Sequence, residues 1–174
     1  MEKQQVQTVA TLDLALEGAK DVLYFTHDYL AMTSEKNKFL EATAKSAKKQ
    51  GVEKLVAVCP IEHDLYWSED SKTPYEKKVE AQNKALSTNQ NTVIINPNLI
   101  FGKHSYLIHF LTQCAMAGKV PYSLANPKGT FTYSPLHSDD LANSVEVAFS
   151  KFGEVKGHKY TLNGSNELRL QEIF

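Results

Sequence analysis

Residues 39 to 60, FLEATAKSAKKQGVEKLVAVCP, decide how the rest of the chain is read. The first half puts Phe39, Leu40, Thr43, Ala44 and Ala47 on one side of a helix, with Lys38, Lys45, Lys48 and Lys49 around the remainder. Ser34 suits the N-cap, and Gly51 suits the C-terminal stop. The second half changes period. Lys54 to Cys59 is a short, almost wholly apolar run closed by Pro60, which reads as a strand buried on both faces.

The same alternation extends to either side. Upstream, Leu12, Leu14 and Leu16 with Ala15 and Ala19 predict a short helix from Thr11 that ends at Gly18 or shortly after it, and Asp21 to His27 (DVLYFTH) predicts another buried strand. Downstream, Pro74 opens a helix from Tyr75 to about Leu86, and NTVIINP (91–97) supplies a third strand. Apolar strands separated by helices form a parallel sheet covered on both faces, so the class is α/β. The second half is less regular. SYLIHFLTQCAMAG (105–118) predicts an apolar helix stopped by Gly118, and 120–135 predicts two or three short extended pieces broken by Pro121, Pro127 and Gly129. HSDDLANSVEVAFSKFG (137–153) predicts a helix capped by Ser138 or Asp139, with Leu141, Val145, Ala148 and Phe149 inward. HKYTLNG (158–164) reads as a last strand and NELRLQEIF (166–174) as the opening of a final helix.

Composition narrows the function classes. At 174 residues the chain fits one domain, and a formal charge of −1 gives no field to draw nucleic acid. Of the 19 basic residues only Arg169 is an arginine, so bidentate guanidinium recognition of phosphate is nearly absent. Cys59 and Cys114 stand far apart, without metal-ligand spacing, and suit a reducing compartment. No metal is expected. No apolar run reaches the length needed to span a bilayer, and residues 1 to 20 carry no signal-peptide apolar region.

Four stretches, in order, resemble the extended and atypical short-chain dehydrogenase/reductase superfamily: GAKDVLYFTH (18–27), the opening stretch 39–60, IINPNLIFGK (94–103) and YSPLHSDDLANSVEVAF (133–149). The resemblance implies a single, incomplete domain over 1–174, a partial doubly wound Rossmann-type parallel sheet lacking its N-terminal strands, with a small α+β C-terminal lobe. Residues 11–102 would be the central and later strands and helices, with 103–136 and 164–174 contributing to the substrate-type lobe. The family's dinucleotide site uses Gly-x-x-Gly-x-x-Gly at a helix N-terminus. None of the 8 glycines here forms such a stretch. Roughly 60 to 80 residues of the family's domain are therefore expected to be missing, taking ~30 residues per strand-helix-strand unit.

The helix after Pro74 bears on activity. TPYEKKVEAQ (73–82) resembles the family's catalytic helix, in which tyrosine and lysine stand four apart. Here Lys78 falls on the lysine, Ala81 on the alanine and Gln82 on the glutamate of Ser-Lys-x-x-Ala-Glu, while Pro74 falls on the tyrosine and Tyr75 comes one residue late. A proline has no proton to transfer, and Tyr75 is turned by about 100° from that position. Cys59 or Pro60 stands where the family has a serine, and Asn96 where it has an arginine. No catalytic residue is expected, Lys78 and Tyr75 being vestiges. The resemblance offers Thr26, His27, Cys59, Lys78, Pro97 and Leu99 as cofactor-side positions; without the tyrosine, a solvated lysine among Lys72, Lys77 and Lys84 is the preferred reading of Lys78, and turn chemistry equally suits 96–98.

Other candidates are weighed against plainer roles. His27 and His63 follow strand ends, where α/β proteins bind ligands, yet nothing joins them at metal or triad spacing. His137, Ser138 and Asp139 are adjacent and cannot converge as a triad, whereas helix capping accounts for Ser138 and Asp139. Tyr66 and Trp67 in 61–73 suit an interface anchor. Within the superfamily GVEKLVAV and NPNLIFGK look most like the 39 kDa-type accessory subunit of mitochondrial complex I. That resemblance implies an inactive structural subunit of a large assembly, on the matrix side of the inner mitochondrial membrane, with other subunits as partners. One of these could carry the absent glycine-rich half; no cofactor is expected within this chain, and NADP(H) only with that half. The competing expectations are a cytoplasmic NAD(P)-dependent epimerase or reductase, and a nucleotide sensor resembling NmrA.

Overall fold

A computed structural model describes residues 9–26, 34–60, 74–103, 105–118 and 132–169. The first three strands are β1 (Asp21–Phe25), β2 (Lys54–Val58) and β3 (Thr92–Pro97), and β7 (Lys159–Leu162) joins them in one parallel sheet ordered β1-β2-β3-β7. The connections β1 to β2 and β2 to β3 are made through α2 (Ser34–Lys49) and α3 (Pro74–Thr88). The partial doubly wound α/β sheet expected from the sequence is thus the fold of the chain.

Strand alternation divides the core in two. Leu55, Ala57 and Cys59 on one face, with Ile94, meet Leu40, Ala44 and Ala47 of α2 and Ala85 of α3. On the other face Val56, Val58, Val93 and Ile95 meet Leu141 and Ala148 of α5 (Ser138–Ser150) and Phe152 of α6 (Phe152–Val155). Val56, Val58 and Val93 have no exposed surface. Burying a valine side chain in this way stabilises by about 1.5 to 3 kcal/mol. The short α1 (Val9–Ala15) lies on α2: Leu12 and Leu16 are buried, and Asp13 accepts hydrogen bonds from Ser46 Oγ and Lys49 Nζ. Gly18 and Gly51 both adopt positive φ (73° and 72°), turning the chain from α1 into β1 and from α2 into β2.

The outer elements depart from the expectations. β1 was expected to be buried on both faces, but it is an edge: Leu23 and Phe25 are 52% and 47% exposed, while Val22 and Tyr24 pack on the α2 side. The strand ends at Phe25, and His27 lies outside the described residues. The helix expected from residue 166 is instead, at Leu168–Arg169, a strand (β8) antiparallel to β5 (Thr132–Tyr133). β-Sheet pairing with a remote segment overrode the local leucine spacing there. A further parallel pair, β4 (Ile100–Phe101) with β6 (Leu136–His137), was not foreseen; two-residue strands carry no periodicity. α4 (Tyr106–Met116) precedes Gly118 as the sequence implies. The cap of α5 is His137 rather than Ser138 or Asp139, its Nδ1 accepting from the Asp139 backbone N–H at 3.2 Å.

Candidate functional site

Parallel strands end together, so whatever follows β1, β2, β3 and β7 gathers at one rim of the sheet. Thr26 follows β1; its N–H and its Oγ1 both donate to the Val58 carbonyl, at 3.1 and 3.2 Å. Cys59 follows β2, 2% exposed, and its N–H donates to the Ile95 carbonyl at 2.8 Å. Burial pushes the Cys59 thiol up to about 11, against the opposing influences of the Lys78 ammonium and a hydrogen bond with Thr26. Three of the expected positions, Thr26, Cys59 and Lys78, therefore converge. Tyr24, one residue pair back on β1, is also pushed up, by burial first and then by the neighbouring Cys59.

Below Lys78, one turn further along α3, is a contact whose geometry the sequence did not reveal. Gln82 Nε2 donates to Asn96 Oδ1 at 2.7 Å, and Asn96 Nδ2 donates back to Gln82 Oε1 at 3.3 Å. Both residues are buried, at 3% and 8% exposure. The sequence reading singled out Gln82 and Asn96 separately, and nothing in their spacing showed that the two side chains meet.

The end of β3 is held by asparagines. Asn98 N–H donates to the Leu162 carbonyl at 2.8 Å, Asn98 Oδ1 accepts from the Leu99 N–H at 2.7 Å, and Asn98 Nδ2 donates to Asn163 Oδ1 at 3.2 Å. Pro97 and Leu99 are thus fixed at this rim, Pro97 fully buried. Turn chemistry, the plainer reading of 96–98, accounts for the bond from the Leu99 N–H to Asn98 Oδ1, while the bonds to Leu162 and Asn163 tie the turn to the end of β7. Tyr75 lies in the first turn of α3. His63, Tyr66 and Trp67, like His27, lie outside the described residues.

Among the described residues of the rim, Cys59, Asn96, Pro97 and Asn98 are buried and Lys78 supplies positive charge beside the thiol. A thiol held protonated to about pH 11 is a poor nucleophile at neutral pH. A dinucleotide needs a glycine-rich strand-to-helix turn for its pyrophosphate. Among the described residues the positive-φ glycines, Gly18, Gly51, Gly102, Gly118 and Gly157, form no such turn, so these residues by themselves do not supply the pyrophosphate cradle. An apolar groove of about 320 Å³ on the α5 face is lined by Val93, Ile95, Val147, Ala148, Tyr160 and Leu162, and it meets the rim at Leu162, whose carbonyl accepts from the Asn98 N–H.

A parallel sheet with helices on both faces defines a Rossmann-like fold, here in part. No family model matches the chain, and no curated protein matches it. Among solved structures it is similar to the dTDP-glucose 4,6-dehydratase of Streptomyces venezuelae, solved with NAD and TYD bound, with a TM-score of 0.71, 16% identity, and coverage of 95% of this chain and 58% of that one. It is also similar to a Bordetella bronchiseptica enzyme in complex with NAD (TM-score 0.70, 14% identity, 95% and 57% covered). The UDP-N-acetylglucosamine 4-epimerase of Bacillus cereus gives a TM-score of 0.66 at 12% identity, with 95% and 65% covered. At such identities the likeness establishes the fold. The chain spans less than two thirds of the length of each of these structures.

Proposed function

We propose that the chain is a non-catalytic accessory subunit of a multi-subunit assembly, built on part of a short-chain dehydrogenase-like domain. The observation that carries this reading is the state of the catalytic helix. Pro74, at the tyrosine position, begins α3, and of the two residues offered for the serine position, Cys59 and Pro60, Cys59 is a buried thiol held protonated and Pro60 has no proton to give. A hydride-transfer enzyme of this kind needs a proton donor within hydrogen-bond reach of the substrate. Neither replacement supplies one. The assembly we favour is mitochondrial complex I, from the resemblance of GVEKLVAV and NPNLIFGK, with the chain on the matrix side of the inner membrane and other subunits as its partners. Among the described residues no helix is long and apolar enough to cross a membrane, so attachment would run through those partners.

A second reading is favoured by the convergence of Thr26, Cys59 and Lys78 at the rim that α/β proteins use for ligands. In it the glycine-rich half comes from outside these residues and completes an NAD(P) site, for an epimerase, a reductase or a sensor. One comparison separates the two. The purified chain, alone and with its co-purifying proteins, is titrated with NADPH and NADH by fluorescence and assayed for oxidation of either. The accessory reading expects co-purification and no turnover; turnover that Lys78→Ala abolishes would overturn it.

A further inference from the structure

Asn163–Gly164 is the one Asn-Gly step in the sequence, and it follows directly on β7. Such a step can react with itself. Lacking a Cβ, the glycine leaves its amide nitrogen open to the preceding side chain and lets the backbone bend to meet it. That nitrogen, on losing its proton, attacks the asparagine Cγ; an N–Cγ bond forms, and Nδ2 takes up a proton and leaves as ammonia. The five-membered imide then adds water. Opening at the side-chain carbonyl gives aspartate; opening at the main-chain carbonyl gives isoaspartate, in which the chain runs through Cβ and Cγ. Neither route needs an oxidant or a reductant.

In the folded chain both reacting groups are engaged. Gly164 N–H donates to the Ser134 carbonyl at 3.0 Å, and Asn163 Oδ1 accepts from Asn98 Nδ2 at 3.2 Å. Asn98 is itself buried, with its N–H on the Leu162 carbonyl. Gly164 lies so close to the link between β5 and β6 that a Cβ built on it would fall on the Pro135 carbonyl oxygen. An amide nitrogen held and packed in this way neither loses its proton to water nor swings onto Cγ until the contact opens. Asn163 itself is exposed, so water reaches it. We propose that Asn163 is a deamidation site whose rate is set by opening of the Gly164–Ser134 contact, and that isoaspartate there frees the segment after β7 from Ser134–Pro135. Isoaspartate inserts one carbon into the backbone before Gly164. The Asn98–Leu162 bond fixes the chain on one side and Pro135 leaves no room on the other, so the added carbon displaces Gly164 from Ser134. The strand that follows, β8, then loses its register with β5. This chemistry holds whether or not the chain is an accessory subunit.

The test incubates the full chain at neutral pH, folded or in urea, and follows it by tryptic digestion. Cleavage after Lys159 and Arg169 releases one peptide, 160–169, that holds Asn163 and, as control, the exposed Asn166, which a glutamate follows. Mass spectrometry with electron-based fragmentation locates the conversion and tells isoaspartate from aspartate. In urea Asn163 should convert well before Asn166. In the folded chain it should convert roughly tenfold or more slowly, by the factor, to within about threefold, that native-state deuterium exchange gives for the Gly164 amide. The isolated isoaspartyl chain should lose protection at Gly164 and at the β5 and β8 amides, whereas Asn163→Asp, which adds the charge without the carbon, keeps it. Equal rates in folded and unfolded chains, or a slowing unrelated to Gly164 protection, overturn the gate. Conversion in urea no faster at Asn163 than at Asn166 overturns the site, and an isoaspartyl chain with Gly164 protection intact overturns the release.

Discussion

Cys59 links burial to a measurable pH dependence. An exposed thiol ionises near its ordinary value of 9.0, whereas the folded thiol keeps its proton to about 11. Between those values the unfolded chain has released a proton that the folded chain still holds, so stability is fully present below pH 9 and falls as pH rises through the window. The loss amounts to about 2 to 3 kcal/mol. Urea unfolding between pH 8 and 11 should show this decline, and Cys59→Ala should remove the part that begins near pH 9; Tyr24, also raised, adds a decline that begins near its ordinary value of 10.0 and that Tyr24→Phe removes. His137 is a second residue whose role is specific. As N-cap of α5 it offers Nδ1 to the Asp139 N–H, and it packs edge-on against Phe101 with ring centroids 5.2 Å apart. Replacement by alanine should cost about 1 kcal/mol, whereas asparagine, a good cap, should recover most of it. Denaturant midpoints of the two variants check this. The sequence pointed to a cap here but to its neighbours Ser138 and Asp139, because histidine is rarely the residue that caps and only the local fold shows which acceptor reaches Asp139 N–H.

Between elements, the contact that ties α3 to β3 is the reciprocal Gln82–Asn96 amide pair. It is buried and neutral, so its energy lies in what happens when half of it is removed. Asn96→Ala should destabilise by about 1 to 3 kcal/mol by leaving the Gln82 amide without that partner. The double variant Gln82→Leu with Asn96→Leu should cost clearly less than the sum of the two single leucine substitutions. Thermal or chemical unfolding of the four proteins completes the cycle. The helices α2, α3 and α5 and strands β2 and β3 were legible because their apolar periods are long and their stops are strong. The reading failed where an element is two residues long, as at β4 and β6, or where a distant strand decides the outcome, as at Leu168–Arg169. In the candidate site, Thr26, Cys59 and Lys78 could be placed together from family order, but the Gln82–Asn96 and Asn98–Asn163 bonds depend on side-chain reach that spacing does not encode.

For the whole molecule, burial is graded across the sheet. β2 and β3 are covered on both faces, β1 has one open face, and β7 at the opposite edge is exposed at Lys159, Tyr160 and Thr161. Native-state hydrogen exchange of the isolated chain should therefore be slowest at the amides of β2 and β3 and markedly faster at those of β1 and β7. Equal protection across all four strands would show that the edges are covered in solution. The expected class was recovered from sequence because it depends on strand-and-helix order; the edge position of β1 was not, because its composition matches that of a central strand and only neighbours, present or absent, distinguish the two.

The strand order β1-β2-β3-β7 is also the order of synthesis. Each new strand emerging from the ribosome finds its pairing partner already made, and among the described residues one helix, α2 or α3, intervenes at each of the first two additions. The sheet can thus grow by accretion during translation, with contacts of short sequence span formed before the long closure that brings β7 to β3. Nascent chains arrested after β3 has cleared the exit tunnel should already resist protease over β1 to β2, and the segment from α4 onward should gain resistance only when β7 has emerged.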